Sequence, residues 1–104
     1  MRVIVDSQVE ETLWAFYEEA LHLHPTLDMA TVVNKINRLR GELNALGDFP
    51  DKYPLAKKEE WQLRGYREFV YEDIHLGYKV IKLGETEESI VYVAEACHSL
   101  LYHD

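Results

Sequence analysis

The chain has 104 residues, 47% apolar and 29% charged. That is one domain of ordinary globular composition, and it excludes a disordered or fibrous chain. With 11 Lys and Arg against 19 Asp and Glu, the formal charge is −8, which repels a phosphate backbone and argues against generic nucleic-acid binding. The single cysteine excludes an internal disulfide and a Cys-rich zinc site.

Val3-Ile4-Val5 is a short β-branched run and predicts a first strand. Ser7-Gln8-Val9-Glu10 reads as a capping box opening a helix. Val9, Leu13, Phe16, Tyr17, Ala20 and Leu21 give that helix an apolar face, with Glu10, Glu11, Glu18 and Glu19 mostly on the other side. It should end near His22–His24, because Pro25 disfavours helix at the residue before it. Thr26 and Asp28 are both candidate N-caps for a second helix over residues 28–46. Its stripe is Met29, Val32, Val33, Ile36, Leu39, Leu43 and Leu46, and Gly47 stands where a left-handed C-cap is wanted. Val32, Ile36, Leu39 and Leu43 are expected to face a sheet. The two helices, joined by a short link, predict an antiparallel hairpin.

Residues 47–54 are a loop by their Gly, Asp and Pro content, and residues 56–61 can make one helical turn. Residues 66–71, 74–83 and 89–97 are strand-like, separated by Glu72-Asp73 and by an acidic turn over 84–88. The order is therefore β-α-α-β-β-β: an α+β fold over residues 1–104, with an antiparallel sheet, the helical hairpin packed on one face, and strand 1 inserted at an edge or beside a neighbour. No apolar run approaches the roughly 18 residues needed to span a bilayer. The stretch Met1-Arg2-Val3-Ile4-Val5-Asp6 is too short for a secretory signal, so no membrane association and a cytoplasmic location are expected.

In the strand 74–83, Leu76, Tyr78 and Val80 alternate with His75, Gly77 and Lys79. If the helices cover the first set, His75 and Lys79 lie on the open sheet face. Cys97 reads as a small, buried residue. Cys97-His98 and Tyr102-His103 place histidines and a tyrosine where acid–base chemistry near neutral pH is available. The spacing of His98 and His103 matches no standard metal motif, and neither a metal nor a cofactor is expected. Seven of the basic residues fall between Lys52 and Lys82, interleaved with acids.

On Leu76-Gly77-Tyr78-Lys79-Val80, on the apolar strand Ile90–His98, and on Leu46-Gly47-Asp48-Phe49-Pro50 after the long helix, the chain resembles the RelE/ParE superfamily of toxins from bacterial type II toxin–antitoxin modules (the plasmid-stabilisation type). The resemblance covers nearly the whole chain and rests on architecture more than on any one motif. It implies a toxin partnered by a cognate antitoxin, as a homodimer or a toxin–antitoxin hetero-oligomer. It also implies one of two activities: metal-free cleavage of messenger RNA on the ribosome, or inhibition of DNA gyrase by binding. An inactive relative that only binds an antitoxin is the third reading. Carried over by position, the catalytic candidates of an endoribonuclease are Arg67, Lys79, His98, Tyr102 and His103. Arg67 and Lys79 would hold the phosphate, and His98 or His103 would serve as base or acid. The expectation is that these side chains converge at one edge of the open sheet face. The chain departs from the ribosome-cutting members in its charge of −8 and in reading Ser99-Leu100-Leu101 where arginine often follows.

Overall fold

A computed structural model describes residues 1–85 and 88–98. The elements in chain order are β1 (Arg2–Val5), α1 (Ser7–Leu23), α2 (Met29–Ala45), α3 (Glu59–Leu63), β2 (Arg67–Tyr71), β3 (Ile74–Lys82) and β4 (Ser89–His98). The β-α-α-β-β-β layout is present, with the short α3 added before β2. Among the described residues no helix is long and apolar enough to cross a membrane.

The chain leaves β1 at Asp6, whose amide donates to the carbonyl of Val93 at 2.9 Å. Asp6 keeps an extended backbone, and its carboxylate accepts from the Gln8 amide at 2.8 Å. The helix start is therefore capped by Asp6, not by Ser7 as the capping box predicts. Aspartate caps as well as serine, and the strand fixes where the turn begins. Asp28 caps α2 through the Thr31 amide at 2.8 Å.

The end of α2 differs from expectation in its physics. The amides of Leu46, Gly47 and Asp48 each donate to a carbonyl three residues back, a tightened last turn. Gly47 is not left-handed there. It is glycine because a Cβ would sit 2.1 Å from the Met1 carbonyl oxygen, so the N-terminal strand can lie against the turn.

The sheet order is β1-β4-β3-β2. β1 occupies an edge and pairs parallel with β4, while β2, β3 and β4 form the antiparallel meander. The sheet is thus mixed. The residues of α2 assigned to the core are all buried: Val32, Ile36, Leu39 and Leu43. They join Val9, Leu13 and Tyr17 of α1 and Phe69, Leu76, Tyr78, Val91 and Val93 of the sheet in one cluster.

β4 contains a bulge. Val93 pairs with Tyr78 and Glu95 pairs with Gly77, which leaves Ala94 as an extra residue on β4. Side chains alternate with period two, so one inserted residue exchanges the faces of everything beyond it. Val91 and Val93 face the helices before the bulge, and Ala96 does so after it. Tyr92 precedes the bulge on the opposite face, and Glu95 and Cys97 follow it there.

That opposite face is not open along its length. The segment before β2 folds across it, and α3 lays Trp61 over Gly77. A Cβ on Gly77 would meet Trp61 Cε3 at 3.0 Å and Tyr66 Cδ2 at 3.1 Å. Ala56, Trp61 and Tyr66 form a second buried cluster, with Ala94 and Cys97 packed against it. The same segment covers the outer edge of β2: Glu68 donates to Pro54, Ala56 donates to Tyr66, and Leu55 bridges to Arg67. Those bonds shield an edge that would otherwise invite strand pairing.

Candidate functional site

Two features of the sheet decide where the sequence-derived site residues go. The first is the hairpin of β2 and β3. Tyr71 pairs with Ile74 across the two-residue loop Glu72-Asp73, which sets Arg67 opposite Tyr78 and not opposite Lys79. Paired residues share a face, so Arg67 lies on the side of buried Tyr78. There its guanidinium donates to the Tyr53 carbonyl at 2.6 Å and lies 3.6 Å from the Asp51 carboxylate. Tyr53 stacks edge-on against Phe69, and the Tyr78 hydroxyl donates to the Pro50 carbonyl at 2.8 Å. Arg67 and Tyr78 together hold the 49–54 loop to the sheet.

The second feature is the bulge at Ala94. It puts His98 opposite Ile74, on the helix-covered face. The imidazole lies against the Phe16 ring of α1 with centroids 4.8 Å apart. Arg67 and His98 thus share a face, but His98 aligns with the first residue of β3 and Arg67 with its middle, four residues of strand or about 13 Å apart along it.

Lys79 stands on the other face, as its alternation predicts. It pairs with Tyr92, and its ammonium lies 5.6 Å from the centre of the Tyr66 ring. The expected convergence of Arg67, Lys79 and His98 on one face is therefore corrected: the register of the β2–β3 hairpin turns Arg67 away from Lys79, and the bulge turns His98 away from it. Tyr102 and His103, the remaining candidates, lie outside the described residues.

The face that carries Lys79 is rich in paired charge. His75 Nδ1 and Glu68 Oε1 meet at 2.8 Å, both side chains largely buried. Arg64 donates to Glu95 at 2.8 Å, and this contact is the main cause that raises the guanidinium above its usual value. At the β1 side, the Tyr92 hydroxyl donates to the second carboxylate oxygen of Asp6. Arg64 on this face thus has a carboxylate beside it, and Lys79 an aromatic ring.

The Tyr92–Asp6 contact makes a pH-dependent prediction. The Tyr92 hydroxyl first and the Gln8 amide second hold the Asp6 carboxyl below its ordinary value of 3.8. A depressed folded-state value stabilises the protein above the unfolded value, and that contribution is lost as pH falls through the folded one. Replacing Tyr92 by Phe should lower the melting temperature at neutral pH, and the gap to the unsubstituted protein should close in acid. A gap that is constant down to acid pH would show that the hydroxyl does not act through the carboxylate.

One surface feature was not singled out from the sequence. On α1, Ser7, Glu10, Glu11, Trp14, Ala15 and Glu18 line a shallow groove of about 460 Å³. Trp14 also borders the crevice between α1 and α2, beside Leu13, Ile36 and Arg40. Its signal in the sequence is an indole at steps of three and four among the acids, off the apolar stripe.

Among the described residues, no group of three or more His, Cys, Asp or Glu is placed to hold a metal ion. No family model matches the chain, and no curated protein matches it.

Proposed function

We propose that the chain is the toxin component of a RelE/ParE-like toxin–antitoxin module, and that it acts in the cytoplasm by binding a protein target such as DNA gyrase. Support for the module reading comes from the β-α-α-β-β-β layout, with a helical hairpin on one sheet face, and from Leu76–Val80 in the central strand β3. The cognate antitoxin is the partner this reading requires, in a hetero-oligomer with the toxin.

The choice of binding over cleavage rests on one observation: Arg67 and Lys79 lie on opposite faces of the sheet. Cutting RNA without a metal needs a base for the 2′-hydroxyl, a cation for the phosphate and an acid for the leaving oxygen, all within reach of one phosphate. Two cations separated by a packed sheet cannot share that phosphate. The acidic surface adds to this, since it weakens every approach of an RNA backbone.

Induced expression of the chain alone should arrest growth, and co-expression of a cognate antitoxin should relieve the arrest. In the arrested cells supercoiling should change while ribosome-bound messages stay intact. Translation-dependent cleavage of message that disappears in Lys79→Ala and His98→Ala would overturn the binding reading in favour of the endoribonuclease. Growth that continues unaffected would leave the antitoxin-binding relative without toxicity.

A further inference from the structure

We propose that the groove on α1 around Trp14 is a docking site for a Lys/Arg-bearing segment of a partner protein. This deepens the reading of the chain as a protein-binding module and rests on it for the existence of a partner. The floor of the groove is apolar. Trp14 is half-buried, with its indole packed against the main core on one side. The same ring lines the groove on the other side, next to Ala15. An aromatic residue anchored in this way presents a rigid contact surface at little entropic cost, which is what interface anchors provide.

The rim is acidic. Glu10, Glu11 and Glu18 stand around the indole at successive turns of the helix. Arg40 of α2 answers only Glu10, at 3.3 Å. Glu11 and Glu18 have no ionic partner among the described residues. The groove runs from Ser7 to Glu18, about 16 Å of helix, which is the length of about five extended residues. That shape suits a peptide segment better than a small ligand.

The chemistry of the occupant follows from floor and rim together. Lysine and arginine lay an aliphatic stem on apolar surface while the charged head stays at the polar edge. Over an indole the head gains a cation–π contact as well. Stems on Trp14 and heads at Glu11 and Glu18 satisfy both parts of the groove. An acidic segment would meet like charge at every turn of the rim. The protein's net charge of −8 extends the attraction for a basic segment beyond the groove itself.

The probe for this site is a short fluorescein-labelled peptide of alternating Lys and Leu, with the Glu-for-Lys peptide as its control, measured by anisotropy on the purified full chain. The Lys peptide should bind, should weaken with added salt, and should shift the Trp14 emission. Trp14→Phe should abolish the emission change and keep the anisotropy change, since the other tryptophan, Trp61, is buried elsewhere. The double charge reversal Glu11→Lys with Glu18→Lys should weaken binding by about tenfold. Reversal of Glu59 and Glu60 on α3, which changes the net charge by the same amount, should weaken binding much less. Equal losses from both reversals would mean diffuse attraction to an acidic protein and would overturn the proposal, as would binding of the Glu peptide or no binding at all. A chain that arrests growth yet ignores the Lys peptide would remove the groove and leave the toxin reading standing.

Discussion

Truncating Leu39 to Ala should cost about 2–5 kcal/mol of folding stability. Leu39 has no exposed surface, and it sits in α2 between Ile36 and Leu43 of the same cluster. Removing the isobutyl group loses its transfer free energy and leaves a cavity that the neighbours fill only in part. Those neighbours belong to two helices and a hydrogen-bonded sheet, so they have little freedom to collapse inward. The expected signature is a lower denaturant midpoint with an unchanged slope, which marks a change in stability and not in compactness. Leu63 is the matched control: it is 81% exposed on α3, and its truncation should shift stability by no more than about 0.5 kcal/mol. A Leu39→Ala cost that small would mean that α2 does not present this face to the core.

The same stripe shows what the sequence makes legible. Val32, Ile36, Leu39 and Leu43 repeat at helical spacing, and only one face of a helix can bury such a set. The strands announce themselves by β-branched and aromatic runs, and the Glu72-Asp73 turn marks the hairpin. That turn also settles the face of Arg67. A two-residue loop fixes the pairing of everything behind it, so Arg67 meets Tyr78 and shares its face. The position of Arg67 was therefore available from the sequence, through register and not through nearness to Lys79.

His98 is different. Alternation along β4 from Val91 and Val93 places it on the face opposite the helices, and the bulge at Ala94 reverses that. A bulge is set by how two strands fit over the layers above and below them, and Ala94 carries no local mark of it. The covering of the second face was half visible. Residues 56–61 read as a helical turn, but the reason for it lies across the sheet, where Gly77 leaves room for the Trp61 ring. Trp14 was legible in spacing but not in role, because spacing along α1 does not say which side of the indole stays uncovered once the helix is packed.

The fit of Trp61 on Gly77 predicts the second large effect. Trp61 is 2% exposed, and its ring closes the second cluster over the sheet. Trp61→Ala should cost about 3–5 kcal/mol, the range for a buried large aromatic. Gly77→Val should also destabilise, by about 1–3 kcal/mol. The Cβ alone comes within 3.0 Å of the Trp61 ring and 3.1 Å of Tyr66, and the two valine methyl groups extend further into the same space. The deciding measurement is the pair together. With Trp61 already reduced to alanine the obstruction is gone, and a valine in mid-strand has better β propensity than glycine. It also fills part of the space that the indole vacates. In the Trp61→Ala background, Gly77→Val should therefore be close to neutral, giving a coupling of about 1–3 kcal/mol between the two positions. The measurement is urea unfolding of both single variants and the double. If valine costs the same with and without the indole, Trp61 does not rest on Gly77, and the segment carrying α3 is not held to the sheet by this contact.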